Sequence, residues 1–302
     1  MAKKPLGAVL AVGNQKGGVG KTTNTVHIAA ALGEKGHKCL IIDLDPGAGA
    51  TKHLGVKPDA FAGTFELITT DDGPQDLAVI DKMPKGVHLI PARTELSEID
   101  KHLSKFADRT HVLDRGLELA REEYDFILLD TAPFAGATTT VAAYASAHWF
   151  ILSAFPHILS IHGLNEALND IADVRSLRNP QLEIIGLVFS SVDRRTRAKV
   201  EVEQLMRKHF PERAFSTYIA QAVALNQAAE KGKTLFDIKK FRKHPVADQY
   251  RTIAAEVYER VTNREAFLAG ELESSNELSA SVEEEQTTPV EGEQPIAVAV
   301  NE

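Results

Sequence analysis

Three short segments hold residue types that together do phosphate chemistry. The first is Lys16-Gly17-Gly18-Val19-Gly20-Lys21-Thr22-Thr23. Its glycines let successive backbone N–H groups turn inward as a nest for phosphate oxygens, at the positive end of the helix that must follow. There the Lys21 ammonium would reach the β- and γ-phosphates of a nucleotide, and the Thr22 hydroxyl would ligate Mg²⁺. The usual spacing asks for a further glycine five positions before Gly20. This chain has Gln15 there, and a second cation, Lys16, at the head of the loop. The second segment is Asp43-Leu44-Asp45-Pro46, whose two carboxylates project to one side of an extended backbone. The third is Tyr124-Asp125-Phe126-Ile127-Leu128-Leu129-Asp130, an apolar run that delivers one carboxylate, Asp130, towards the Mg²⁺ water shell.

Side chains so far apart in sequence converge only if strand ends bring them together. Apolar runs at 6–12, 38–42, 87–90, 125–129, 148–152 and 183–189 predict buried strands. Periodic stretches at 22–32, 111–121, 160–177, 196–209 and 246–261 predict the helices between them. That alternation implies an α/β fold of the P-loop NTPase kind: a mostly parallel twisted sheet with helices on both faces. Ligands in such sheets sit beyond the carboxyl ends of the strands, where Lys21, Asp43, Asp45 and Asp130 all fall. Cys39 and Trp149 lie in strand runs and are expected in the core. The single cysteine excludes an internal disulfide or a cysteine metal cage from one chain. The 11 histidines, His157 and His162 among them, lack ligand spacing and are expected as surface or capping residues.

Charge divides the chain. The whole carries 34 Lys+Arg against 42 Asp+Glu, a net of -8. Residues 271–302 contain nine Glu and no Lys, Arg or Asp, so residues 1–270 are nearly neutral at +1. The Ser/Glu/Thr/Pro-rich tail cannot bury enough surface to offset chain entropy and is expected to be disordered, leaving one domain at 1–270. Within that domain, residues 191–244 hold 13 basic residues against six acids, a net of +7 suited to a phosphate backbone. No apolar stretch approaches the ~20 residues that span a bilayer, so a cytoplasmic location is expected.

Lys-Gly-Gly-Val-Gly-Lys-Thr-Thr resembles the deviant Walker A motif of the ParA/MinD family of ATPases, and the resemblance extends over most of residues 6–265. It implies that Lys16 reaches across a homodimer to phosphates held by the partner subunit, stabilising charge that develops on phosphoryl transfer. It implies that Asp45 stands against the attacking water and that Asp43 supports Mg²⁺ or the loop. ATP and Mg²⁺ are then the cofactors, bound through residues 16–23, with Thr22, Asp130 and Asp43 on the metal side. The family commonly continues Asp-Pro-Gln-Gly-Asn-Ala-Thr, whereas this chain reads Asp45-Pro46-Gly47-Ala48-Gly49-Ala50-Thr51 and lacks both amides.

Val87–Ala92, Ile185–Val188 and Asp193–Arg197 look like the short ParA/Soj branch, which is expected to lack a sequence-reading helix-turn-helix domain. That branch implies non-specific DNA binding, nucleoid association and a ParB-type centromere-binding partner that stimulates slow hydrolysis. Arg195 matches a DNA-contacting arginine of the branch, with Arg194 and Arg197 beside it. A second basic position of the family falls on Ala224, for which Lys239, Lys240, Arg242 and Lys243 are expected to compensate. Other readings stay open: a MinD-like or other cargo-positioning ATPase, or a nucleotide-dependent scaffold with little hydrolysis. The acidic C-terminal segment argues against a MinD-like membrane helix, and the single cysteine against a nitrogenase-reductase-like member.

Overall fold

Apolar runs of four to seven residues rich in Val, Ile and Leu cannot face water on either side, and they pair into one sheet. The computed structural model describes residues 7–70, 84–105, 109–133, 137–156, 158–211 and 213–270. Its strands are β1 (Ala8–Gly13), β2 (Cys39–Asp43), β3 (Val87–Ile90), β4 (Phe126–Asp130), β5 (Trp149–Ala154) and β6 (Glu183–Phe189). They pair in parallel in the order β3-β2-β4-β1-β5-β6. All six expected strands are present, two with the expected bounds and four with bounds moved by one or two residues, and Cys39 and Trp149 are buried in them.

Period-two alternation divides the core into two layers. Val9 and Ala11 of β1 face one apolar cluster, and Ala8, Leu10 and Val12 face the other. Helices supply Leu117, Ala142, Ile171 and Met206 to the layer on the Val9 side. Ile28, Ala228, Ile253 and Phe267 pack on the opposite side. The helices are α1 (Lys21–Glu34), α2 (Gly49–His53), α3 (Thr64–Thr69), α4 (Ile99–His102), α5 (Asp114–Glu123) and α6 (Thr138–Ser146). After these come α7 (Ile158–Leu177), α8 (Arg197–His209), α9 (Val223–Ala229), α10 (Pro245–Thr262) and α11 (Arg264–Leu268). The short helices α2, α3, α4, α9 and α11 leave no trace in the periodicity, which needs two or more turns to register.

The long C-terminal helix starts where its chemistry requires. Pro245 stands at the first helical position, where its fixed φ suits the helix and its missing N–H costs nothing. The His244 ring accepts the Val246 N–H at 3.2 Å. His244 is therefore a capping histidine, as expected. His27 and His53 are not: both are buried, His27 completely, on the α1 side of the sheet. The acidic segment 271–302, His157 and the side chain of His162 lie outside the described residues. Among the described residues no helix is long and apolar enough to cross a membrane.

Candidate functional site

The loop after β1 is shaped by its own side chains. Asn14 donates from Nδ2 to the Ser153 carbonyl at 2.7 Å, and its Oδ1 accepts the Lys16 N–H at 2.9 Å. Gly18 and Gly20 take φ of +75° and +90°, the left-handed region open to glycine without steric penalty. A Cβ at Gly18 would meet nothing within 4 Å, and Gly18 and Gly20 line a cleft, so the loop forms an open cradle. Helix α1 then begins at Lys21, and its free N–H groups face that cradle.

Lys21 is only 7% exposed, and its ammonium donates to the Lys16 carbonyl at 3.2 Å. Burial lowers its pKa, and the negative charges of Asp130 and Asp45 oppose that shift. Lys16 is exposed at the mouth of the loop. The two lysines of the motif therefore have different settings: one is turned into the site, the other is presented at the surface.

Parallel register sets Asp43 beside Asp130, with Val12 of β1 on Asp130's other flank. Both carboxyls are fully buried, and burial pushes each pKa up; the charge of Asp43 adds to the shift at Asp130, and that of Asp45 adds to it at both. Hydrogen bonds oppose the shift. Asp130 accepts from the Thr22 hydroxyl at 2.8 Å and the Thr25 hydroxyl at 3.2 Å. Asp43 accepts from the Thr51 N–H at 2.8 Å, the Thr51 hydroxyl at 2.7 Å and the Asp45 N–H at 3.2 Å. Asp43 is thus saturated by its own loop, whereas Thr22 and Asp130 share one corner. Asp45 is half-buried, and its Oδ1 accepts the Gly47 N–H at 2.8 Å. That bond leaves its second oxygen without a hydrogen bond among the described residues.

Comparisons with known proteins match most of the chain. A family model described as an AAA domain matches residues 7–184. The chain is 32% identical to the chromosome partitioning protein ParA of Caulobacter vibrioides over 89% of this chain and 100% of that protein. It is 33% identical to the chromosome-partitioning ATPase Soj of Thermus thermophilus over 83% and 96% of the respective chains. The chain belongs to the ParA/MinD family of P-loop ATPases. Among solved structures it is similar to cobyrinic acid a,c-diamide synthase of Mycobacterium smegmatis with bound ADP and magnesium. That likeness has a TM-score of 0.73 at 28% identity and covers 85% of this chain and 96% of the other.

For a ParA/MinD-family ATPase, the site also has parts that sequence reasoning missed. A cleft of about 230 Å³ opens beside the loop, lined by Gly18, Gly20, Asn24, Ser190, Gln221 and Tyr250 among others. Within that lining Asn24 donates to the hydroxyls of Ser153 and Ser190, both at 2.9 Å, and accepts the Tyr250 hydroxyl at 2.9 Å. This buried network joins α1, the ends of β5 and β6, and α10. Its partners lie 129 to 226 residues from Asn24 in sequence, and no local pattern announces them. The only signal is a polar residue in a helix that is buried along most of its length.

The basic residues separate into two groups. Arg195 is 89% exposed yet held by Asp193, with Nε at 3.0 Å and Nη2 at 3.2 Å from its oxygens. Arg197 pairs with Glu201 at 3.0 Å, and Arg194 lies over the Tyr218 ring at 5.2 Å. Arg207 bonds Glu203 and the carbonyls of Phe215 and Thr217, and Arg213 bonds the Ile184 carbonyl, so these two serve packing. In the tract 239–243, Lys239, Lys240, Arg242 and Lys243 are all exposed. Arg242 donates to the Phe236 carbonyl, and Lys240 sits 4.5 Å from the Phe241 ring centre. Ala224, where the family pattern has a cation, is buried.

Proposed function

We propose that this chain is a ParA-type switch: an ATPase that dimerises on ATP, holds DNA without reading its sequence, and positions a replicon or other cargo with a ParB-type partner. The observation that carries the reading is one corner holding Lys21, Thr22, Asp130 and Asp45 against an open glycine cradle at the start of α1. The residues fit a nucleoside triphosphate: N–H groups and Lys21 for the phosphates, and the Thr22–Asp130 pair for Mg²⁺. Bound Mg²⁺ supplies neutralisation of charge on the phosphates during transfer.

Lys21 binds and orients the phosphates, and its buried ammonium is worth more there than in water. Asp45 orients the attacking water through the carboxylate oxygen that Gly47 leaves free, taking its proton as the bond forms. Asp43 holds the Asp45 loop in place through Thr51. Lys16, presented at the surface, is available to the phosphates of a second subunit, which makes dimerisation and nucleotide occupancy one equilibrium. DNA contacts come from Arg194, Arg195 and Arg197 and from the tract 239–243. A cytoplasmic, nucleoid-associated location follows from that reading.

ATP titration with Lys21→Ala tests it. The expected result is affinity lower by about 100-fold or more, the loss of a charged hydrogen-bonding group worth about 3 kcal/mol. Unaltered affinity would remove the phosphate-site reading. A second reading, a nucleotide-dependent scaffold with little hydrolysis, is favoured by Gly47 and Gly49, which bring no side-chain amide to the water. Steady-state hydrolysis with and without DNA and partner decides between the two.

A further inference from the structure

Helix α2 stands between the phosphate corner and the segment that leads to the basic tract, and it touches each through a glycine. At its first residue, a Cβ on Gly49 would fall 2.8 Å from the Thr22 hydroxyl oxygen, so α2 rests directly on the phosphate-loop threonine that bonds Asp130. Just past its last turn, Gly55 meets Gly232: a Cβ on Gly232 would lie 2.6 Å from the Gly55 Cα. Both of these glycines have positive φ, +76° and +63°. Five residues of helix span only about 7.5 Å, a stiff piece with one glycine contact near each end.

The segment beyond Gly232 is tied to α2 and α1 at the same place. The His53 ring of α2 lies beside the Lys233 backbone, and its buried Nε2 has no hydrogen-bond partner among the described residues. The Leu235 N–H donates to Nε2 of His27 at 3.3 Å, and the opposite ring nitrogen bonds the Thr23 carbonyl at 2.9 Å. Since one nitrogen accepts and the other donates, the ring is neutral with its proton on Nδ1. His27 stacks on Tyr250 at 4.9 Å and meets the His53 ring edge-on at 5.3 Å. Thr23 belongs to the phosphate loop. From Leu235 the chain runs through Phe236, whose carbonyl holds Arg242, into the tract 239–243. The Arg242 carbonyl is held by Arg251, which pairs with Glu34 of α1.

We propose that α2 is a lever that couples occupation of the phosphate site to the placement of the basic tract 239–243, with Gly49–Thr22 and Gly55–Gly232 as its contacts and His27 as its fulcrum. The proposal rests on the phosphate-site reading and assigns the side chain of His27 and the two glycine contacts as positioning elements. Closely packed backbone has discrete arrangements and is not continuously deformable, so a shift of the Asp45 loop at Gly49 is passed on at Gly55 and not absorbed. A Cβ at Gly232 would break that contact. Gly36 gives the control: it has φ +98° and nothing within 4 Å of a built Cβ, so alanine there adds backbone strain without touching the lever.

Amide hydrogen exchange on the full chain tests it, with and without a non-hydrolysable ATP analogue and Mg²⁺. The expected result is exchange slowed about fivefold or more at the Leu235 amide and at 239–243 on nucleotide binding, the range of ordinary site-to-site coupling. Gly232→Ala should abolish that slowing while ATP affinity stays within about threefold, and Gly36→Ala should keep it. If Gly232→Ala does not fold, His53→Ala opens the same joint at Lys233 and should also reduce the slowing. Bound nucleotide that leaves these amides unchanged in the wild type overturns the lever, as does slowing in Gly232→Ala equal to that in Gly36→Ala. The readout contains no DNA. A wild type that shows the slowing but does not hold duplex DNA with nucleotide supports the lever and overturns the DNA reading.

Discussion

The phosphate corner and the basic surface are both made of charged residues, but they are built in opposite ways. In the corner, Asp43 and Asp130 sit on neighbouring parallel strands, fully buried, with their placement set by sheet register and by hydroxyl donors from Thr22, Thr25 and Thr51. On the surface, Arg195, Arg197 and Lys239 project into water on loops and helix ends, and the arginines are partnered by their own neighbours Asp193 and Glu201. Low dielectric makes each corner group costly to disturb. High dielectric and flexible stems make each surface cation nearly interchangeable. The corner should therefore respond to single substitutions all-or-none, and the surface by increments.

The largest effect expected from that contrast is at Asp45. Asp45→Ala should lower the hydrolysis rate by about 10²–10⁴-fold, the range of a general base, with ATP affinity within about threefold. Dimers trapped with ATP, seen by gel filtration, accompany that result. A rate within about tenfold of wild type would put the water elsewhere.

A smaller effect lies behind the corner. Burial keeps His27 and His53 neutral, with pKa values pushed down to about 3 and about 4; for His27 the neighbouring His53 adds to burial. Unfolded histidine takes its proton near pH 6.5, so between about pH 6.5 and about pH 4 the unfolded chain binds more protons than the native one. Stability from each is complete above about pH 6.5 and is lost as pH falls, by up to about 1.4 kcal/mol per pH unit. Urea unfolding at about pH 7.5 and about pH 5 should show a shallower pH dependence in His53→Gln than in wild type. An equal dependence would mean that His53 is solvated.

On the surface the effect is smaller still. Each of Arg195→Ala and Lys239→Ala should weaken DNA binding uniformly across sequences and reduce the slope of log affinity against log salt by about 1. The double variant should add. A loss that depends on DNA sequence would contradict backbone-only contact, and a collapse from one substitution would make the surface resemble the corner.

The smallest expected effect tests strain in the corner itself. Ala48 has φ +52° and is buried. The family pattern has glycine at that position and this chain does not. Ala48→Gly relieves about 1–2 kcal/mol of left-handed strain but removes a buried methyl worth about 0.8 kcal/mol, so unfolding free energy should change by less than about 1 kcal/mol. A larger gain would show the loop to be held under more strain than its φ implies.

Much of the corner was legible because its parts are contiguous. Gly20-Lys21-Thr22 between an apolar run and a periodic stretch announces a strand, a phosphate loop and a helix at once, and Asp43, Asp45 and Asp130 each follow an apolar run. The basic surface was legible only as a sum. Counting 13 basic residues in 191–244 treats Arg207 and Arg213 like Lys239, although their guanidinium groups turn inward to backbone carbonyls. Charge counts carry no direction, and direction is a tertiary property. The histidines show the same limit, since nothing near His27 or His53 in the chain says that α10 and the 232–236 segment cover them.

By itself, then, the amino-acid order determined the α/β class, the six strands, the phosphate loop and the family, because each rests on local periodicity or on a contiguous motif. Tertiary structure alone decided that Asp43 is saturated by Thr51 while Asp130 meets Thr22, that Asn24 joins Ser153, Ser190 and Tyr250, and that α2 bridges Thr22 and Gly232. The physical reason is distance along the chain. These contacts join residues brought together by strand order and helix packing, and their energies come from burial that no short window of sequence contains.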